Sequence, residues 1–381
     1  MLGAVTLLNA ALQSLNPPRA DDLTYIRWAA ERAWDPWTPV LRPAPFPGWR
    51  PANNLSWWLS VSVEGATAVL PQLVLGATWL VTCFAIWKWV GARWGQRPAL
   101  IALTLLLVTD RFRDLVAWRS WMTTTGELAG MAICLWAMER GRWGAAIVAG
   151  AVACWFKEPA MLPLVAASLL IYRRPTVAVA ILAAGMPGAA KAIHDAGLFN
   201  DGFPGSAGPL GNLVFYAKTS FGWVWPPAVV LLAAVGRAPS LANDVRWVVP
   251  AGLAFLPALL YPHSNPTYLL EGMLFALGPA AVVLNRVGST AILGAGLLLS
   301  LWSLPASIAS ARWQALQLRD QVRIISAVNP QAVRSFALGP QPSETAVWTA
   351  LILRFNYGIP ERPVGEAAFE ITPGLSGGLN P

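Results

Sequence analysis

Apolar runs of 12 to 25 residues alternate with short polar clusters along most of this chain. That is the pattern of repeated membrane crossings, each needing about 20 predominantly apolar residues. The first run, Met1 to Leu15, is followed by no small-residue cleavage site and reads as a first membrane helix, not a removed leader. A long polar loop follows, from Asn16 to about Gly65. Further spans are predicted near Ala66–Val90, Pro98–Thr109, Trp121–Met138, Trp143–Phe156, Pro159–Tyr172 and Pro175–Ile193. Four more follow near Gly222–Val235, Val245–Tyr261, Tyr268–Leu284 and Ser289–Ala311. The expected fold is therefore all-α: a polytopic transmembrane helical bundle of about 11 spans over residues 1–311. Residues 312–381 are polar enough to form a small soluble tail domain.

Inside the first loop, Leu23 to Trp34 mixes Leu23, Ile26, Trp28 and Ala30 with Arg27, Glu31 and Arg32. This predicts an amphipathic helix along the membrane surface.

Composition agrees. Of 381 residues, 56% are hydrophobic and 12% charged, against about 25% charged in soluble domains. The chain holds 21 Trp, many of them at run edges, such as Trp28, Trp49, Trp57, Trp121 and Trp223. Trp favours the membrane–water boundary, where its ring is buried and its N–H stays wet.

The net charge of +8 fixes an orientation. With the first loop outward, the inward turns hold Lys88, Arg93, Arg97, Arg140, Arg142, Arg173, Arg174, Arg237, Arg246 and Arg286, with few acids. This satisfies the positive-inside rule and places the polar loops and the C-terminal tail outside an inner (plasma) membrane. No basic stripe with interleaved polar residues suggests a nucleic-acid face. Cys83, Cys134 and Cys154 lie within apolar runs, without zinc spacing. No internal repeat of the transporter type is visible.

Five polar constellations could carry chemistry. Asp21-Asp22 follows the first span. It reads either as a general base for an acceptor hydroxyl or as a helix N-cap. Arg50, between Trp49 and Pro51, offers a guanidinium to a phosphate, or anchors the loop at the interface. Asp110, Arg111, Arg113, Asp114 and Arg119 crowd a short segment around Trp118, either as a second acidic element or as local ion pairs. Lys157-Glu158 sits between two apolar runs, where charge is expensive and so suggests function. His263, in Tyr261 to Tyr268, offers a further ligand for phosphate or metal, or is a plain loop histidine.

The ordered set resembles GT-C glycosyltransferases, in particular the membrane part of protein O-mannosyltransferases with tetratricopeptide repeats. The likeness rests on acidic Asp21-Asp22 after the first span, Trp49-Arg50-Pro51, Asp114-Leu115-Val116-Ala117-Trp118 and Lys157-Glu158-Pro159. Tyr268 echoes a late Tyr motif in which Thr267 stands where the family has Arg. No 34-residue repeat follows.

The resemblance implies inverting transfer of a sugar from a polyprenyl-phosphate donor to a protein or glycan acceptor, outside the membrane. It makes Asp21 or Asp22 the base. Asp114, with Asp110 and Trp118, holds the acceptor. Arg50, Arg119, Lys157 and His263 bind the donor phosphate, supported by Glu158 and Tyr268. No organic cofactor is singled out; Asp21 and Asp114 could share a divalent metal. The alternative is a noncatalytic GT-C-like scaffold subunit of a membrane complex.

Overall fold

The computed structural model describes residues 20–32, 49–109, 112, 115–117, 119–199, 245–260, 269–285, 333–340, 344–367 and 369–371, with scattered single positions elsewhere. Among the described residues, ten α-helices run in chain order before the tail. They are α1 (Ala20–Ala30), α2 (Pro51–Glu64), α3 (Val69–Trp94), α4 (Gln96–Val108) and α5 (Met122–Glu139). Next come α6 (Trp143–Phe156), α7 (Met161–Leu170), α8 (Pro175–Phe199) and α9 (Val248–Leu260), then α10 (Leu269–Asn285). The expected spans at Met1–Leu15, Gly222–Val235 and Ser289–Ala311 lie outside the residues described as continuous elements.

Helices α3 and α8 are long and apolar enough to cross a bilayer; α4, α6 and α10 are shorter apolar helices. On α3, Leu73, Leu80, Val81 and Phe84 share one face and are exposed. Val179, Leu182, Met186 and Ile193 do the same on α8. Such outward apolar faces suit lipid, not water. Helix α5 is the opposite case, buried along nearly its whole length between α3 and α6. Small residues allow the close approach: a Cβ on Gly130 would meet the Ala153 backbone at 2.9 Å, and one on Gly150 would meet Ile181 at 2.7 Å.

The helices alternate in direction, so their ends gather into two polar layers. At one end, Arg93 Nη1 donates to Glu139 Oε1 (2.7 Å), which also accepts from the Tyr172 hydroxyl (2.6 Å). The same guanidinium lies over the rings of Trp94, Tyr172 and Trp247. Arg174, two residues after Tyr172, covers the Trp143 ring. Turns predicted to share one membrane side thus meet one another. The opposite end holds α1, α2 and the turns before α5 and between α6 and α7.

Two details differ from the sequence expectation. The first loop contains a second helix, α2, started by Pro51 at a first-turn position where its missing N–H costs nothing. Helix α1 does not present a bare apolar face. Leu23, Tyr25, Ile26, Trp28 and Ala29 are buried against Trp57 and Val61 of α2 and against Trp348, Leu351 and Ile352 of the tail.

The tail is not purely helical. Among the described residues it holds helix α11 (Glu344–Tyr357) and a two-stranded parallel sheet of β1 (Phe336–Leu338) with β2 (Phe369–Ile371), in register Phe336↔Phe369. Helix α11 is fastened to the turn after α2: Trp348 Nε1 donates to the Ala66 carbonyl (2.8 Å), and Asn356 Oδ1 accepts from the Ala66 N–H (2.8 Å).

Candidate active site

Adjacent residues on a helix point about 100° apart, so the Asp21-Asp22 pair is split. Asp22 turns inward and is fully buried. It accepts a hydrogen bond from the Ser120 backbone N–H (2.6 Å) and lies 4.0 Å from Arg119 Nη1. Arg119 is buried too, and its Nε donates to the Ala68 carbonyl (2.7 Å). Burial pushes this guanidinium down from its ordinary value, and the negative charges of Asp22 and Glu64 act against that. Asp22 and Arg119 therefore lock the turn before α5 onto α1.

Asp21 is only half-buried, and among the described residues no basic side chain pairs with it. Burial raises its carboxyl above the ordinary value. A carboxylate shifted upward and left without a cation is a better proton acceptor than a salt-bridged one. Tyr25, one helical turn on, stacks on Trp57 with ring centroids 5.1 Å apart and planes 4° from parallel. Its hydroxyl lies in the electrostatic neighbourhood of Arg50, Asn53 and Asp21, and burial pushes it up to about 12. Tyr25 thus links the Asp21 end of α1 to the start of α2.

Arg50 precedes α2 and reaches across to the turn between α6 and α7. Its Nε donates to Glu158 Oε2 (3.1 Å) and its Nη2 to Glu158 Oε1 (3.0 Å). This two-pronged pair joins segments 108 residues apart. Burial pushes the Glu158 carboxyl up, but Arg50 and Lys157 pull harder, and it rests below its ordinary value. Gly188 of α8 passes close by, where an added Cβ would stand 3.1 Å from the Trp49 carbonyl.

Lys157, beside Glu158, points into the bundle. Its ammonium lies 3.4 Å from Glu127 Oε2 of α5 and bonds Glu271 Oε1 of α10. All three side chains are nearly or fully buried. Neither glutamate was singled out from the sequence. Their signal was there: one acid inside each of two otherwise apolar runs, Met122–Met138 and Leu269–Leu284.

Asp21, Asp22, Arg50, Arg119, Lys157 and Glu158 are thus gathered at one end of the bundle. Asp110, Asp114, Trp118, His263 and Tyr268 lie outside the described residues. Positions flanking the acidic segment are tied to α3: the Phe112 carbonyl accepts from Trp79 Nε1 (2.9 Å), and the Val116 carbonyl from Gln72 Nε2 (2.8 Å). Among the described residues no group of three His, Cys, Asp or Glu side chains could hold a metal.

Two solved structures share the fold. One is ArnT from Cupriavidus metallidurans in the apo state, with a TM-score of 0.56 and 14% identity over 92% of this chain and 83% of that one. The other is ArnT from the same organism bound to undecaprenyl phosphate, with a TM-score of 0.58 and 14% identity over 96% of this chain and 86% of that one. No protein-family model and no curated protein matches the chain. At this identity the likeness is one of fold.

Proposed function

We propose that this chain is a GT-C-type membrane glycosyltransferase using a polyprenyl-phosphate-linked sugar. The observation that carries the reading is the meeting of Asp21, Arg50 and Lys157 from three distant segments at one end of an apolar bundle. The fold supports it, since an ArnT of the same architecture binds undecaprenyl phosphate. In this reading Asp21 takes the proton of an acceptor hydroxyl on a protein or glycan. The hydroxyl oxygen attacks the anomeric carbon from the face opposite the phosphate, and the bond to the phosphate oxygen breaks with inversion. The departing lipid phosphate leaves with the electron pair and meets Lys157 and the Arg50 side of the site. Asp22 and Arg119 position the loop. Asp114, with Asp110 and Trp118, holds the acceptor, or a divalent metal shared with Asp21; His263 and Tyr268 border the donor. The site and the tail, residues 312–381, face the extracytoplasmic side of the inner membrane.

A second reading is favoured by one observation. Arg50, Arg119 and Lys157 each face a carboxylate of the chain itself. A noncatalytic scaffold subunit would show the same pairing.

The test is transfer of radiolabelled sugar from polyprenyl-phosphate donors, mannosyl among them, in membranes carrying wild type, Asp21→Asn or Asp22→Asn. Asp21→Asn is expected to lose transfer at unchanged protein level. Incorporation equal to wild type in that variant refutes the mechanism and favours the scaffold.

A further inference from the structure

The most unusual group in the molecule is not at its surface. Glu127 is fully buried, and apart from the 3.4 Å approach to Lys157 neither of its carboxylate oxygens has a hydrogen-bond donor. Glu271, at 2% exposure, holds the same ammonium from the other side. The two carboxyl groups also face each other. One lysine therefore serves two acids.

Among the described residues, the neighbouring elements carry few other charges. Glu158, the next carboxylate, is held by Arg50 in the fork described above. Helices α7 and α9 contain no charged residue, and α10 contains only Glu271. On α8 the titratable groups are Lys191, His194 and Asp195, beyond Gly188.

With both acids ionised, the Lys157 cluster carries one net negative charge. An anionic headgroup binding Lys157 makes that two, in a site closed from water. Buried charge of one sign is strongly resisted, and a carboxyl facing a second carboxyl is the group best placed to remove it by binding a proton.

We propose, on the reading that Lys157 meets the donor phosphate, that Glu127, faced by Glu271 across the shared ammonium, is a proton-binding carboxyl. Its protonation hands Lys157 over to the headgroup, so the lipid phosphate and one proton bind together. Glu127 and Glu271 are positioning residues: they act through Lys157 and touch no reacting atom. On departure of the lipid phosphate the proton is released and the ammonium returns to both acids.

The measurement is titration calorimetry of the purified full chain with the methyl ester of undecaprenyl phosphate. This probe is a diester, so its own charge stays constant from about pH 6 to about pH 9. Titration in two buffers of different ionisation heat counts the protons. Uptake of about one proton per lipid is expected, with affinity falling by up to about tenfold per pH unit on the alkaline side. Glu127→Gln and Glu271→Gln should each reduce the uptake toward zero and flatten the pH dependence. The proton count on wild type stands alone if a variant fails to fold. Binding with equal heats in both buffers overturns this inference and leaves the donor-phosphate reading intact. An absence of binding at every pH overturns both.

Discussion

Replacing Arg50 with methionine leaves the buried Glu158 carboxylate without its guanidinium fork. Glu158 has 6% of its side chain exposed, and both of its oxygens are satisfied by the one guanidinium, at 3.1 and 3.0 Å. Removing one partner of a buried ion pair costs about 3–5 kcal/mol. Two charge-assisted bonds at about 1.5–3 kcal/mol each give about 3–6 kcal/mol, an overlapping range. Replacing both partners by apolar side chains of similar size removes the stranded charge, so Arg50→Met/Glu158→Leu should stand within about 1–2 kcal/mol of wild type. The assay is denaturation of the detergent-solubilised protein followed by Trp fluorescence, run as a double-mutant cycle. The pH dependence is a second check. The Glu158 carboxyl lies below its ordinary value because Arg50 and Lys157 outweigh burial. Its contribution is therefore complete above the unfolded value of about 4.3 and is lost as pH falls through the lower folded value. The gap between wild type and Arg50→Met should be full at neutral pH. It should narrow in acid, starting early because in the variant burial acts with Arg50 gone and the stranded carboxyl takes up a proton more readily. A single-variant cost under about 1 kcal/mol, or additive effects in the cycle, would refute the idea that this fork carries the junction.

Two further outcomes follow from the packing. Asp22→Ala leaves the part-buried Ser120 N–H and the buried Arg119 without their carboxylate and should cost about 2–3 kcal/mol, while Asp21→Ala, at the half-exposed position, should cost under about 0.5 kcal/mol; the same denaturation assay compares them. Gly130→Ala places a methyl 2.8 Å from Ala153 Cβ and 2.9 Å from its backbone and should cost about 1–3 kcal/mol, whereas Gly144→Ala, with nothing within 4 Å, should be neutral or slightly stabilising; thermal midpoints of the two variants test this, and equal midpoints would contradict the tight α5–α6 contact.

The helices most visible in the sequence are those whose ends are marked by charge. Arg142 and Lys157 bracket the run Trp143–Phe156, and α6 has those bounds. Arg174-Pro175 likewise marks the start of α8, because proline suits a first turn. Helix α2 was hidden because its polar face, with Asn53, Asn54, Ser56 and Ser60, reads as loop. Only the burial of Trp57 and Val61 against α1 makes it a packed element. The candidate site was legible as residue types and not as partners. Arg50 looks like a phosphate ligand from its neighbours Trp49 and Pro51. That it forks onto Glu158, 108 positions away, is a tertiary fact that no local pattern encodes. Glu127 and Glu271 were passed over for another reason: a single acid barely alters the mean polarity of a long apolar run. The cost of burying that one charge, not its share of the run, was the signal.

The pairing of every described site cation with a carboxylate does not by itself decide between enzyme and scaffold, but the geometry of the pairs separates their roles. A buried ion pair is at best a weak source of stability, since apolar residues of the same size would serve as well. Stability therefore gives no reason for three such clusters in one layer. Arg50 and Arg119 are planar forks aimed at fixed partners, Glu158 in one case and Asp22 with the Ala68 carbonyl in the other, and suit holding segments in place. Lys157 is a point charge on a flexible stem between two acids. It can change partner without moving the backbone. Of the three cations it is the one built for exchange, and that is the property a headgroup arriving from the bilayer requires.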